Sequence, residues 1–220
     1  MKVLVVAAHP DDELLGAGGT VAKHAANGDE VTLAVMCEGI SMRYAAERYR
    51  IVCDQAKRAA SILGAAHLHL GELPDQKLDT LPLTSVIAAV EALVREHTPA
   101  LVYTHFSGDI NRDHQVLSEA VMVACRPYAA PCVREILMFE TPSSTEWSCE
   151  ALGAPFRPGC FVDVAATLAK KLEAFACYSA EICPYPHPRS LRALEERARY
   201  WGSQNNLAAA EAFMVCRMLR

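Results

Sequence analysis

The sequence predicts an α/β protein with a Rossmann-like, doubly wound and mostly parallel sheet flanked by helices. Two observations lead to this prediction. Short apolar runs alternate with longer stretches of helical periodicity, which is the order of βαβ units with right-handed crossovers. The first run, residues 3–8, is apolar at every position. That pattern is typical of a parallel strand buried on both faces.

The elements follow from the order of these runs and from the residues that interrupt them. Strands are predicted at about 2–8, 30–36, 67–70, 100–103, 133–139 and 160–164. Helices are predicted at about 14–27, 45–63, 83–97, 115–125, 165–179 and 190–201. Gly28 and Gly64 follow the first two helices, and Pro99 follows the third, as expected of helix ends.

Two segments have no clear assignment to a helix or strand. Residues 141–159 are rich in Pro, Ser and Thr, which predicts a long surface loop. Residues 207–218 form a short final segment. The chain has no internal repeat, low-complexity tract or linker, so we expect a single domain over residues 1–220.

Composition and charge argue against several functional classes. The chain of 220 residues has a formal net charge of −5, which disfavours general nucleic-acid binding. Every apolar run is too short to span a membrane. The first strand begins at residue 2, where a signal peptide would need a charged region followed by a long apolar one.

The nine cysteines include no CxxC pair, so we expect reduced thiols in a cytoplasmic protein. Those with apolar neighbours are expected to be packing residues: Cys37, Cys53, Cys125, Cys177 and Cys216.

The first strand ends in a cluster that predicts a metal centre. His9, Asp11, Asp12 and Glu13 follow it within five residues, and no Lys or Arg lies nearby to neutralise them. In open α/β sheets this edge binds ligands. His9 and Asp12 are spaced i, i+3, so one turn can bring them together, and imidazole and carboxylate are ligands of Zn²⁺.

The loop after the fourth strand supplies the remaining candidates. His114 is the best third ligand, because it follows another strand at the same edge of the sheet. Asp113 could orient an imidazole by accepting a hydrogen bond from the ring nitrogen that does not bind the metal. Asp11 is then left as a carboxylate beside the metal, as a general base requires.

Two simpler interpretations compete with a metal centre. Pro and Asp favour turns, so the cluster after the first strand could be an ordinary turn that caps a helix. The glycines at 16, 18 and 19 suggest a dinucleotide loop, but Val21 stands where GxGxxG needs glycine, and the acidic residues would repel phosphate. We therefore expect these glycines to allow close packing of the first helix.

These residues resemble the LmbE-like (PIG-L) family of zinc-dependent N-acetyl-sugar deacetylases. The resemblance is carried by Ala8-His9-Pro10-Asp11-Asp12-Glu13 and Asp113-His114, and is supported by Pro186-His187-Pro188-Arg189-Ser190 and Ala210-Glu211-Ala212-Phe213. It implies a Rossmann-like fold and hydrolysis of an acetamido group, commonly on N-acetylglucosamine units. It also implies His9, Asp12 and His114 as ligands of one Zn²⁺ per chain, and Asp11 as the base. A His/Asp/His set also accepts Fe²⁺, Mn²⁺ or Co²⁺.

The sequence departs from the family at one position. The second family motif often reads HxxH, with its first histidine near the substrate, and this chain has Asn111 there. Asn111 could donate a neutral hydrogen bond to the oxyanion, or His187 could supply the charge, and His187 is our choice. In parts of this family a late histidine acts across a subunit boundary, so a homo-oligomer is compatible with the resemblance.

Substrate contacts are expected from three further residues, each with a simpler alternative. Arg43 could clamp sugar hydroxyls or a phosphate, or be a solvated loop residue. Arg189 could do the same, or start a helix and pair with Glu195 or Glu196. Trp147 could stack on a sugar face or cover the core. Three further histidines are expected to be structural or exposed: His67, His69 and His97. His105 lies closer to the active edge but is not predicted as a ligand.

The leading prediction is a zinc-dependent hydrolase that deacetylates an N-acetylated amino sugar, free or conjugated. Two alternatives remain. One is hydrolysis of another small N-acyl or carbamoyl-type amide by the same site. The other is a non-catalytic sugar- or nucleotide-binding α/β module, which would have no need to keep both metal ligands and Asp11.

Overall fold

The protein is described by a computed structural model over residues 1–38, 49–149 and 153–220. The strands are β1 (Lys2–Ala7), β2 (Glu30–Cys37), β3 (His67–Leu73), β4 (Leu101–His105), β5 (Glu135–Phe139), β6 (Cys160–Asp163) and β7 (Ala210–Met218). The helices are α1 (Asp12–Ala26), α2 (Tyr49–Leu63), α3 (Leu83–His97), α4 (Arg112–Ala124), α5 (Leu168–Phe175) and α6 (Leu191–Ser203). Two short 3-10 turns lie at Leu78–Thr80 and Thr145–Trp147.

The seven strands form one mostly parallel sheet in the order β3-β2-β1-β4-β5-β7-β6. The strands β1 to β5 pair in parallel, whereas β7 runs antiparallel to both β5 and β6. From β1 the chain moves outwards to β2 and β3 and then returns to the other side of β1 with β4. The strand order therefore reverses between β1 and β4, which is where α/β sheets bind ligands. The predicted fold class is confirmed.

The core has two layers, one on each face of the sheet. Alternate residues of β1 enter opposite layers: Val5 lies in the layer with α1, α2, α5 and α6, and Val6 lies in the layer with α3 and α4. Both side chains are fully buried. This two-sided burial is the reason why the strand is apolar at every position, as predicted.

The glycines of α1 allow close contact with neighbouring elements, as predicted. A Cβ atom at Gly16 would lie 2.1 Å from the ring of Phe139, and one at Gly19 would lie 2.9 Å from Val164. A buried ion pair also reaches the helix backbone. Nζ of Lys171 lies 2.5 Å from Glu211 Oε1 and donates to the carbonyl of Leu15. The early part of α1, which begins at the candidate site, is therefore fixed from several sides.

Several predicted boundaries were wrong. The final segment contains β7, which inserts between β5 and β6, and α5 is shorter than the predicted helix. The segment at 141–159 is not simply a surface loop, because Thr141, Ser144 and Thr145 are buried. Part of the predicted second helix, before Tyr49, lies outside the described residues. Within the described ranges, no helix is both long and apolar enough to cross a bilayer.

Candidate metal centre and active site

The loops after β1 and β4 lie side by side at the point where the strand order reverses. His9 follows β1, and Asp12 is the first residue of α1. The Oδ1 atom of Asn111 accepts the backbone N–H of Asp113 and caps α4, so this helix begins three residues before the predicted start. His114 is therefore in the first turn of α4 and faces the loop after β1.

The structure brings together the three residues predicted as metal ligands. His9 Nδ1 lies 3.0 Å from Asp12 Oδ2, His114 Nε2 lies 3.1 Å from the same oxygen, and the two nitrogens are 3.3 Å apart. All three residues are at least 93% buried, with exposures of 7%, 1% and 2%. Three donor atoms thus form a nearly equilateral triangle in a buried part of the fold.

This triangle fits a divalent cation. With metal–ligand distances of about 2.0–2.2 Å, tetrahedral ligands are separated by about 3.3–3.6 Å, close to the spacing seen here. Within the described part of the chain, Asp12 Oδ1 is buried without a hydrogen-bond partner. A buried carboxylate oxygen with no donor is costly unless a cation compensates it. The donor set and its geometry therefore suit a catalytic metal centre with three protein ligands.

A carboxylate lies beside each imidazole, next to the ring nitrogen that does not face the triangle. Asp113 Oδ2 lies 3.0 Å from His9 Nε2, and Asp109 Oδ1 lies 3.2 Å from His114 Nδ1. Asp113 accepts a hydrogen bond from Nε2–H of His9, which leaves the lone pair of His9 Nδ1 directed into the triangle. The negative charge of Asp109 beside Nδ1 of His114 favours a proton on that nitrogen and a lone pair on Nε2. The predicted orienting role of Asp113 thus has a partner, which is His9 and not the neighbouring His114.

Both carboxylates are held firmly. Asp113 accepts the backbone N–H groups of Gln76 and Leu78 at 2.7 and 3.0 Å. Asp109 is fully buried and accepts hydroxyl groups of Ser144 and Thr145. Sequence reasoning missed Asp109, since only the fold shows that its loop turns back beneath His114. The sequence offered one indication of this role, which is that Asp109 is a carboxylate in the loop after the fourth strand.

The electrostatics of the triangle favour positive charge. Burial alone would lower the pKa of His9, but hydrogen bonds to Asp113 and Asp12 outweigh it and raise the pKa to about 10. Burial is likewise outweighed at His114, whose pKa is raised by Asp12 and Asp109. At Asp12 the two imidazoles overcome burial and hold the pKa well below its usual range. The surrounding carboxylates therefore stabilise a cation between these side chains.

We expect Asp109→Asn to weaken the binding of a divalent metal ion by about 10–100-fold, because the amide cannot hold His114 in the required tautomer as a carboxylate does. Competition with a chromophoric chelator measures this affinity directly. The matched control is Asp79→Asn, the same change at an exposed residue. Unchanged affinity in Asp109→Asn would show that Asp109 does not support the centre.

His105 has a different role from His9 and His114. It is fully buried, and its ring stacks on that of His114 with centroids 3.8 Å apart. Its Nε2 accepts the backbone N–H of Ala8 at 2.9 Å, so the proton resides on Nδ1, 3.0 Å from the hydroxyl of Thr141. Burial and the neighbouring His114 keep its pKa well below the usual range. It is a neutral residue that packs against a candidate ligand.

Asp11 lies beside the triangle in an unusual backbone conformation. Its φ of 101° is in the left-handed region, where a residue other than glycine is strained. The Oε2 atom of Glu13 accepts its backbone N–H at 3.1 Å, and Tyr178 donates its hydroxyl to Oε1 of Glu13 at 3.0 Å. These contacts hold the segment in a conformation that the chain would otherwise avoid.

The side chain of Asp11 is 98% buried, and its Oδ2 atom lies 3.2 Å from Nη1 of Arg189. Burial raises the pKa of this carboxyl well above its usual range, and the guanidinium opposes that shift. Arg189 is also bound to Glu181 at 2.7 Å. The alternative that Arg189 pairs with Glu195 or Glu196 is therefore wrong.

A cavity of about 260 Å³ opens over the triangle and collects most of the remaining predicted residues. Its wall is formed by His9, Asp12, Asn111, His114, Ser143, Ser144, Trp147, Ala180, Glu181, Cys183, His187 and Arg189. Trp147 is 55% exposed at the rim, edge-on to the ring of His187, so it does not cover the core. Arg43 lies outside the described residues.

His187 presents a donor to this cavity. Its Nδ1 accepts the backbone N–H of Arg189 at 3.1 Å, so the neutral ring carries its proton on Nε2. Asn111 uses Oδ1 as the helix cap, which leaves its amide nitrogen as the group able to donate. Both residues that were candidates for holding an oxyanion thus line the cavity with donor groups.

The chain is similar to known deacetylases in sequence. Residues 4–125, more than half of the chain, match the PIG-L family, described as GlcNAc-PI de-N-acetylase. The uncharacterized deacetylase YaiS of Escherichia coli is 32% identical over 149 residues, covering 64% of this chain and 75% of that protein. A 1D-myo-inositol 2-acetamido-2-deoxy-alpha-D-glucopyranoside deacetylase of Mycobacteroides abscessus is 31% identical over 142 residues, 51% of each chain.

Solved structures share the fold. The N,N'-diacetylchitobiose deacetylase of Pyrococcus horikoshii matches 98% of this chain and 84% of its own, with a TM-score of 0.78 and 19% identity. GalB, a 4-carboxy-2-hydroxymuconate hydratase of Pseudomonas putida KT2440, matches 98% of this chain and 95% of its own, with a TM-score of 0.76 and 23% identity. Since these two proteins are described by different reactions, the fold alone does not select the chemistry. The match over residues 4–125 and the Escherichia coli relative show that this chain belongs to the PIG-L family of deacetylases.

Proposed function

We propose that this deacetylase removes the acetyl group from an N-acetylated amino sugar of N-acetylglucosamine type, free or conjugated, with one Zn²⁺ per chain. The observation that carries the proposal is the triangle of His9, Asp12 and His114 with the carboxylate of Asp11 next to it in the chain. The descriptions of the matching family and of the Mycobacteroides abscessus relative support a substrate of this type. Availability in the cell decides between Zn²⁺ and ions such as Fe²⁺.

The residues of the cavity have separate roles in the proposed reaction. A divalent cation held by His9, Asp12 and His114 would polarise the amide carbonyl and lower the pKa of water to about 7. Asp11 accepts the proton of the attacking water and later gives it to the leaving amine. Its burial suits this role, because a carboxyl with a raised pKa holds a proton more readily. Arg189 limits that shift and orients the carboxylate.

The oxyanion needs a donor in place of the family histidine that this chain lacks. His187 supplies the Nε2–H, and it comes from the same chain as the metal ligands. Asn111 lies on the opposite loop and donates through its amide. Trp147 at the rim is positioned to cover one face of a sugar. Together these residues place the acetamido group over the centre and the ring towards solvent.

We expect His187→Ala to lower kcat by about 10²–10³-fold and to leave the metal content unchanged, because one oxyanion donor is lost. Steady-state kinetics and metal analysis on the same sample measure both quantities. His67→Ala, at an exposed histidine that lies near Glu30, is the control and should behave as wild type. A kcat within threefold of wild type for His187→Ala would assign the donor role to another residue.

A second prediction concerns the backbone of Asp11. Glu13→Ala removes the acceptor of the Asp11 N–H, and we expect kcat to fall by about 10²-fold because the base moves out of position. Glu13→Gln keeps an acceptor oxygen and should recover most of the activity. If both variants lose activity to the same extent, the charge of Glu13 matters more than the hydrogen bond to Asp11.

The proposed function is tested by amine release from a panel of N-acetylglucosamine conjugates, with metal content determined before and after chelation. We expect about one zinc ion per chain, release from some conjugates, loss on chelation and recovery on addition of Zn²⁺. Release only from other small N-acyl amides would keep the centre and change the substrate class. A chain that binds no metal even after reconstitution, yet binds sugars, would favour the non-catalytic module.

A further inference from the structure

A second group of metal-ligating side chains lies on the opposite edge of the His9 ring. Its members are Nε2 of His9, Oδ2 of Asp113 and Sγ of Cys37, which lie within 4.8 Å of one another. The nitrogen is 3.0 Å from the Asp113 oxygen, and the sulfur is 3.9 Å from the same oxygen. Oδ1 of Asp75 lies 3.3 Å from the nitrogen. We call these four residues the outer cluster.

The outer cluster has the composition and spacing of a zinc site that contains one thiolate. With Zn–S at about 2.3 Å and Zn–N or Zn–O at about 2.0–2.2 Å, tetrahedral ligands are about 3.3–3.7 Å apart. Of the three distances, 3.3 Å lies at the lower end of that range, 3.0 Å lies just below it and 3.9 Å just above it. Each member is at least 93% buried. A thiolate in the set favours thiophilic cations such as Zn²⁺ and Cd²⁺.

The outer cluster and the triangle share one imidazole, and a neutral imidazole has a single lone pair. When Nδ1 of His9 faces a cation in the triangle, Nε2 carries the proton that Asp113 accepts. A cation in the outer cluster needs the lone pair of Nε2, so the ring proton must lie on Nδ1. Oδ2 of Asp12 is 3.0 Å from Nδ1 and accepts it there. The two sites therefore exclude each other.

We propose that the outer cluster is a second metal site for a thiophilic divalent cation, which competes with the triangle for His9 and inactivates the centre when filled. Binding displaces the thiol proton of Cys37 and shifts the ring proton of His9 from Nε2 to Nδ1. The inactivation rests on the proposed function, whereas the binding itself does not. The side-chain nitrogen of Gln76, a half-buried residue, lies 3.1 Å from Nε2 of His9.

Ultraviolet absorption of the metal-free protein during titration with Cd²⁺ tests the binding, because thiolate-to-cadmium charge transfer reports sulfur ligation. We expect Cys37→Ser to lose the absorption of one thiolate, about one equivalent per chain. The matched controls are Cys183→Ser, in the cavity wall, and Cys149→Ser, at an exposed position, which should each keep that component. Equal absorption in wild type and Cys37→Ser would overturn the proposal.

Two further readouts cover the remaining outcomes. If Cys37→Ser does not fold, as judged by circular dichroism, the ¹¹³Cd resonance of the wild type still decides. A shift typical of one sulfur ligand supports the site, and its absence overturns the proposal. In amine release, excess Zn²⁺ should inhibit wild type, and the inhibitory concentration should rise at least tenfold in Cys37→Ser. A chain without deacetylase activity but with the cadmium signal would refute the proposed function and keep the outer site.

Discussion

Asp11→Asn is expected to retain wild-type metal content and to lower kcat by about 10²–10⁴-fold, the usual contribution of a general acid–base group. The amide has the same shape as the carboxyl group but cannot take the proton of the attacking water. It also keeps an oxygen towards Arg189, so the local structure should survive. Asp79→Asn, at an exposed position, is the control for the same chemical change.

The outcome of this experiment separates two roles for Asp11. A lower kcat with unchanged metal binding supports Asp11 as a base that lies beside the metal ligands. Loss of metal would instead mean that the strained backbone at φ 101° chiefly positions Asp12. A rate near that of wild type would show that another group accepts the proton, and Glu181 would then be examined because it contacts the same guanidinium.

Asp12→Asn is expected to remove the metal and with it all measurable deacetylation. Its Oδ2 atom lies within 3.1 Å of both imidazole nitrogens and carries the negative charge of the triangle. An amide oxygen is a much weaker ligand, so a loss of several kcal/mol corresponds to at least about 10³-fold in affinity. We expect less than one tenth of the wild-type metal by elemental analysis after dialysis.

The design of this experiment takes the outer cluster into account. Asp12→Asn is made in the Cys37→Ser background, so that a cation held by sulfur is not counted. Cys37→Ser alone is the matched control and should keep its metal. Stoichiometric metal in the double variant would contradict the assignment of Asp12 as a ligand.

The main features of the fold and the triangle could be predicted because their signals are local. A strand apolar at every position must be buried on both faces, and the polar cluster after it must then lie at the carboxyl edge. His114 could be predicted at the same edge because it follows β4 in the sequence. Local patterns did not predict β7. It pairs antiparallel with β5, which lies far from it in the sequence, and the C-terminal half of β7 is partly exposed.

The supporting residues could not be predicted for a related reason. Asp109, Asp75 and Glu181 lie in loops, and the direction of a loop side chain depends on which other segments fold against it. The segment at 141–159 was expected at the surface because it is rich in polar residues. Ser144 and Thr145 are buried there since their hydroxyl groups are bound by Asp109, a partner that the sequence alone does not identify.

Anomalous diffraction from crystals with one equivalent of Zn²⁺ would show whether His9, Asp12 and His114 hold the catalytic metal. We expect a single strong peak about 2.0–2.2 Å from His9 Nδ1, Asp12 Oδ2 and His114 Nε2. A peak found only at Cys37 and Asp113, or no peak within the cavity, would contradict it.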